Sequence, residues 1–123
     1  MIPENAPSPA VREIGTAELA RQLAGDQPPH LAEILGPESF AKGHLPGAVN
    51  LPLANLAESA ARLLPDRTAD IVVYCASSTC QNSDLAERKL RSMGYEHVRV
   101  FKGGKAAWQD AGHLLEGGGV LNG

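Results

Sequence analysis

The chain has 123 residues, of which 43% are hydrophobic and 20% are charged, and this balance is typical of a single folded domain. Its net charge of −3 argues against nucleic-acid binding, because no block of Lys and Arg is present to neutralise phosphates. No apolar run approaches the roughly 18 residues of a membrane-spanning helix, and no basic and apolar leader opens the sequence.

The order of predicted elements indicates an α/β fold. Residues 1–10 contain three prolines and no hydrophobic periodicity, so we predict a flexible arm there, a domain over 11–115 and a flexible Gly-rich tail over 116–123. Strands are predicted at residues 11–14, 30–35, 48–51, 71–74 and 98–101. Helical segments are predicted from residue 16, within 36–43, over 53–64, over 84–93 and from 106. This alternation favours a five-stranded, mainly parallel sheet with helices on both faces.

Both cysteines of the chain lie in the loop that follows the most hydrophobic predicted strand. Ligands of parallel α/β sheets bind beyond the carboxyl ends of the strands, where this loop begins. A strand, a small-residue loop and a helix in this order expose a thiol over backbone N–H groups at a helix N-terminus, which favours a thiolate and holds anions. Two cysteines five positions apart are not a secreted disulfide framework, so we expect a cytoplasmic protein with reduced thiols.

Three segments resemble a rhodanese-like (sulfurtransferase homology) domain. Residues 43–52 are similar to the family's Gly-His-Ile-Pro-Gly-Ala segment. Residues 72–75 and the loop ending at Ser83 resemble its active-site strand and loop, and residues 94–108 resemble its C-terminal signature. The segments occur in the family's order over about residues 11 to 115. The resemblance implies a small α/β domain that moves a sulfane sulfur through a cysteine persulfide.

The site residues are predicted from the chemistry of the loop together with the resemblance. Cys75 is the predicted nucleophile, and Cys80 is an alternative nucleophile or a resolving thiol that would displace sulfide from a Cys75 persulfide and leave an intraloop disulfide. The predicted substrate-binding residues are Ala76, Ser77, Ser78, Thr79, Cys80, Gln81, Asn82 and Ser83. Structural support is predicted from Glu33, His44 and Trp108. No metal ligand set and no cofactor are expected.

The chain departs from the family pattern at two places. The family commonly has Asp-x-Arg after its second strand, whereas this chain has Glu33-Ile34-Leu35 and lacks the arginine. Its active loop is longer than usual and uncharged, which disfavours a dianionic donor such as thiosulfate. Lys102 and Lys105 are candidate replacements for the missing cations at the rim. Neither cysteine has an arginine six positions later, so phosphatase chemistry is not expected.

These observations leave three functions open. The first is a single-domain sulfurtransferase or sulfur carrier that takes sulfur from thiosulfate, a persulfide or a polysulfide and passes it to a thiol, cyanide or a protein. The second is a dithiol/disulfide redox or sensor module that uses Cys75 and Cys80. The third is a non-catalytic interaction domain. We expect a monomer with neither nucleic acid nor membrane as a partner.

Overall fold

The computed structural model describes residues 12–117, so the predicted arm at 1–10 and most of the predicted tail lie outside the described residues. Four parallel strands form one sheet in the order β2-β1-β3-β4. Their bounds are His30–Glu33 for β1, Val49–Asn50 for β2, Asp70–Tyr74 for β3 and His97–Phe101 for β4. The predicted α/β class with a parallel sheet is confirmed.

The predicted first strand is the one difference in the sheet. Glu13 makes an isolated parallel bridge with Val100, carried by the hydrogen bonds Ile14 N–H to Val100 O and Val100 N–H to Arg12 O. A single bridge is too short to count as a strand, so the sheet has four strands where the sequence predicts five. Residue 11, where the predicted strand begins, lies outside the described residues.

Five helices connect and cover the strands. They are α1 Thr16–Leu23, α2 Pro37–Lys42, α3 Leu56–Leu63, α4 Asn82–Ser92 and α5 Gly104–Asp110. The helix predicted over 53–64 is divided, because a short 3-10 turn at Leu53–Asn55 precedes α3. Within residues 12–117, none of the helices combines the length and apolar character that a membrane crossing requires.

Two hydrophobic clusters lie on opposite faces of the sheet. Successive side chains of a strand point to opposite faces, and Val72 and Val73 of β3 accordingly belong to different clusters. The first cluster includes Leu56, Ala60, Ala86 and Leu90 from α3 and α4. The second includes Leu19 from α1 and Trp108 from α5. Helices therefore cover both faces, as the sequence predicts.

The strand register determines which residues meet at the carboxyl edge of the sheet. Glu33 of β1 is paired with Tyr74 of β3, and Tyr74 is paired with Phe101 of β4. Cys75 follows Tyr74 directly. The chain therefore leaves the sheet at Cys75, next to Glu33, the last residue of β1.

Candidate functional site

The loop of residues 75–81 connects β3 to α4, and a disulfide joins its two cysteines. The Cα atoms of Cys75 and Cys80 are 6.3 Å apart, within the usual range of about 4.4–6.8 Å for a disulfide. Cys75 is only 1% exposed, and Cys80 is half-buried. The expectations of reduced thiols and of an exposed thiol at Cys75 are therefore wrong for this bridged loop, because Cys80 folds back and bonds to Cys75.

A tight turn carries Cys80 back toward Cys75. The Cys80 N–H donates to the carbonyl oxygen of Ser77 at 3.1 Å, and the hydroxyls of Ser77 and Thr79 are hydrogen-bonded at 3.0 Å. Beyond the turn, the side-chain amide of Asn82 donates to Ile34 O at 3.2 Å. This bond fixes the start of α4, and with it the end of the loop, to the segment after β1.

The hydroxyl of Ser83 lies beside the sulfur of Cys75, in a loop with unused backbone donors. Ser83 is buried in the first turn of α4, and its Oγ lies 3.5 Å from Cys75 Sγ. A bridged sulfur carries no hydrogen, so the Ser83 hydroxyl is the group that can donate in this contact. Across residues 12–117, no backbone or side-chain acceptor is paired with the N–H groups of Ala76, Ser77, Ser78 and Thr79. The loop therefore offers several donors that are not used elsewhere in the described fold.

The predicted loop residues differ in exposure. Ala76, Ser78, Thr79 and Gln81 are exposed, Ser77 and Asn82 are half-buried, and Ser83 is buried. The structure brings Cys75, Cys80 and Ser83 together around the sulfur atoms. The exposed residues form the outer surface of the loop.

The N-terminus of α5 holds the beginning of the loop. Lys105 N–H donates to Cys75 O at 3.1 Å, and Ala106 N–H donates to Ala76 O at 2.9 Å. Gly104 has a φ of +62°, and a Cβ at this position would collide with the Cys75 carbonyl oxygen. Because glycine adopts a positive φ without steric cost, Gly104 allows α5 to approach the loop backbone.

A buried carboxylate lies beneath the loop. Glu33 is fully buried, its Oε1 accepts a hydrogen bond from the Tyr74 hydroxyl at 2.9 Å, and its Oε2 lies 3.0 Å from Lys105 Nζ. The Tyr74 oxygen in turn accepts the Leu45 N–H at 3.0 Å. Burial, followed by the negative charge of Glu33, raises the pKa of Tyr74 well above its ordinary value, so its hydroxyl remains a donor.

Neither of the candidate rim cations is free. Lys105 pairs with Glu33 and also donates to the carbonyl oxygens of Ser39 and Gly43, at 2.9 and 2.7 Å. Lys102 forms an ion pair with Asp84. Lys105 therefore neutralises the carboxylate under the loop instead of facing a substrate, a pairing that the sequence did not indicate.

His44 is held in a network of its own. Its Nδ1 donates to Phe40 O at 2.9 Å, and its ring stacks on Phe40 with 3.8 Å between the centroids. The backbones of His44 and Glu116 form an antiparallel bridge, and Glu116 Oε1 accepts the Gly47 N–H at 2.9 Å. These contacts support the predicted structural role of His44. They also place Glu116, the first residue of the predicted tail, against the turn at Gly47.

Trp108 forms part of the core below the site. The residue is 4% exposed, its Nε1 donates to Leu114 O at 3.1 Å, and its ring packs edge-on against Phe101. A side chain packed in this way supports α5, which holds the loop through its first N–H groups. These contacts favour the predicted supporting role of Trp108.

Comparison with known proteins identifies the family. The family model for the rhodanese-like domain matches residues 16–111. The chain is 37% identical over 100 residues to the HTH-type transcriptional regulator Rv0324 of Mycobacterium tuberculosis, covering 81% of this chain and 42% of that protein. It is 35% identical over 69 residues to thiosulfate sulfurtransferase PspE of Escherichia coli, covering 56% of this chain and 64% of that protein. A sulfurtransferase of Allochromatium vinosum is 33% identical over 98 residues, covering 80% of this chain and 88% of that protein.

The chain thus spans less than two thirds of the first two of these relatives. Among solved structures, the Alr3790 protein of Anabaena sp. is 30% identical and superposes with a TM-score of 0.75, covering 85% of this chain and 91% of that one. The matched region includes the strand, the two-cysteine loop and both helices that hold it. The chain belongs to the rhodanese-like domain family.

Proposed function

We propose that this protein is a rhodanese-type sulfurtransferase or sulfur carrier in which Cys75 holds a sulfane sulfur as a persulfide. The supporting observation is the position of Cys75 at the carboxyl end of β3, where α5 holds its carbonyl and Ser83 lies beside its sulfur. Relatives named thiosulfate sulfurtransferase and sulfurtransferase, and one from Bacillus subtilis named a putative sulfur carrier protein, also support this role.

In the reduced protein, the Cys75 thiolate attacks the outer sulfur of a donor R–S–SH. A bond forms between Cys75 and that sulfur, the donor S–S bond breaks, and the thiolate RS⁻ leaves. An acceptor thiolate or cyanide then takes the outer sulfur and restores the Cys75 thiolate. The N–H groups of residues 76–79 and the Ser83 hydroxyl would stabilise the negative charge in both steps, because fixed backbone dipoles need no reorganisation during reaction.

The charges around the loop favour a persulfide or polysulfide donor over thiosulfate. Residues 75–81 carry no charged side chain. Lys102 and Lys105 are paired with Asp84 and Glu33, so neither adds net positive charge to the site. A dianion such as thiosulfate depends on local positive charge for capture more than a monoanionic persulfide does. Candidate acceptors are a small thiol, cyanide or a protein thiol.

A second candidate function is a dithiol/disulfide redox or sensor module. The specific observation that favours it is the bond between Cys75 and Cys80. Turnover by either function requires that the bridge be reduced, which suits a reducing compartment. The cytoplasmic location and the monomeric state remain predictions.

Separate cysteine substitutions test the proposal. Reduced wild type, Cys75→Ser and Cys80→Ser would be assayed for thiocyanate formation with glutathione persulfide as donor and cyanide as acceptor. The proposal expects that Cys75→Ser abolishes the enzymatic rate and that Cys80→Ser still forms thiocyanate. Loss of function in both variants would favour the dithiol module. Rates no greater than that of Cys75→Ser in both wild type and Cys80→Ser would instead favour an interaction domain and contradict the proposal.

A further inference from the structure

The second cysteine offers a second reaction for the sulfur bound to Cys75, besides its transfer to an acceptor. We propose that Cys80 resolves the Cys75 persulfide, so that the protein also releases hydrogen sulfide and ends in the bridged state seen in the structure. This inference rests on the proposed function, because it requires a persulfide on Cys75. It assigns Cys80 a chemical role of its own.

The loop is already shaped for this reaction. The Cα atoms of the two cysteines are 6.3 Å apart while the carbonyls of Cys75 and Ala76 remain bonded to α5. At the other end, Asn82 remains bonded to Ile34 O. The bridge therefore coexists with the native anchors at both ends of the loop, so resolution requires no disruption of the sheet or of α4.

The chemical step balances without an added oxidant. The Cys80 thiolate attacks the inner sulfur, Cys75 Sγ, a bond forms between the two cysteine sulfurs, and HS⁻ leaves with the electron pair of the former persulfide bond. The sulfane sulfur is reduced to sulfide, and the two cysteines are oxidised to the disulfide. A low-molecular-weight or protein dithiol then reduces the bridge. The net reaction converts a persulfide and a dithiol into a thiol, hydrogen sulfide and a disulfide.

Burial predicts which sulfur the reductant attacks. Cys75 is 1% exposed in the bridged loop, whereas Cys80 is half-buried. An external thiolate therefore reaches the Cys80 sulfur first and displaces the Cys75 thiolate. The leaving sulfur is the one beside the Ser83 hydroxyl, 3.5 Å away, so the charge develops next to a hydrogen-bond donor. Reduction by this route returns Cys75 as a thiolate ready for another donor.

The test follows sulfur through one loading cycle. Reduced wild type, Cys80→Ser, Cys80→Ala and Cys75→Ser would be loaded with glutathione persulfide and desalted, and intact mass and free sulfide would then be measured without added thiol. Wild type should release its bound sulfur as sulfide and finish lighter than the reduced protein by two hydrogens. Both Cys80 variants should retain the sulfur and release it about 100-fold more slowly, since they lack an intramolecular thiol. Dithiothreitol should then allow wild type to be loaded again.

The possible outcomes separate this inference from the proposed function. If wild type and both Cys80 variants retain the sulfur equally, or all release sulfide at the same rate, the resolving role is wrong and the persulfide carrier stands. If neither wild type nor the Cys80 variants gain sulfur or yield sulfide above the level of Cys75→Ser, the proposed function fails and the inference fails with it. A bridge that forms in wild type without stoichiometric sulfide also overturns the inference, because oxidation alone would explain it.

Discussion

Lys105 Nζ lies 3.0 Å from Glu33 Oε2, and the backbone N–H of the same lysine donates to the carbonyl oxygen of Cys75. One residue of α5 therefore neutralises the buried carboxylate at the end of β1 and also holds the first residue of the active loop. This arrangement links the electrostatics of the core to the position of the proposed nucleophile. It places Lys105 as a positioning residue under the loop.

Replacing Lys105 with Met should destabilise the protein strongly. Glu33 would remain fully buried without the cation that lies 3.0 Å from its Oε2, and breaking a buried pair by removing one partner costs about 3–5 kcal/mol. Urea unfolding measures this loss. The control is Lys102→Met, whose ion pair with Asp84 is more exposed and should cost about 1 kcal/mol or less. The double variant Lys105→Met with Glu33→Gln should recover part of the loss, and equal costs for the two lysines would contradict this account.

Replacing Gly104 with Ala should displace the loop. The new Cβ would meet the Cys75 carbonyl oxygen, and the φ of +62° adds strain of about 1–3 kcal/mol for a residue with a side chain. The matched control is Gly112→Ala, because Gly112 also has a positive φ but a Cβ added there would meet no atom within 4 Å. Urea unfolding should show a lower free energy of unfolding for both variants. Sulfur-transfer assays should show a loss of activity for Gly104→Ala alone. Similar activities for both variants would mean that this contact does not position the loop.

Tyr74 should make the stability depend on pH in the alkaline range. Burial raises its pKa in the folded state above the ordinary value of 10.0, so the unfolded chain loses this proton first as pH rises. The contribution is fully present below pH 10 and is lost progressively above it, at up to about 1.4 kcal/mol per pH unit. Tyr74→Phe should be less stable at neutral pH but should lose less stability on going to high pH. Urea unfolding of both proteins between neutral and alkaline pH measures this difference, and parallel pH curves would contradict it.

A cation introduced at Ser78 should improve the use of thiosulfate. Ser78 is exposed in a loop without charged side chains, so Ser78→Arg would add local attraction for a dianion. We expect kcat/KM for thiosulfate to increase by about tenfold at low ionic strength and the gain to disappear with added salt. Ser78→Gln is a control of comparable polarity without charge. An equal effect of Arg and Gln, or no dependence on salt, would show that charge does not limit donor choice.

The sequence was most informative where structure depends on local patterns. The apolar run at residues 71–74 predicted the central strand, and its position before the two cysteines predicted where the site lies. The family resemblance added the order of the elements. These features are encoded within a few adjacent residues, and the sequence alone therefore reveals them.

The features that the sequence did not reveal depend on contacts between distant segments. The pairing of Lys105 with Glu33 joins α5 to β1, and no local spacing indicates it. The sequence indicates the bridge between Cys75 and Cys80 only as a product of chemistry, since its geometry depends on how the turn at residues 77–80 and the start of α4 are anchored. Whether residues 12–14 form a strand depends likewise on hydrogen bonds to β4.

The most direct test of the central claim is the site of sulfur attachment. Reduced Cys80→Ser would be treated with glutathione persulfide, alkylated and digested, and the peptide containing Cys75 would be analysed by mass spectrometry. The account predicts one additional sulfur atom on Cys75, which cyanide removes as thiocyanate. An unmodified Cys75 in a folded, reduced protein would contradict it.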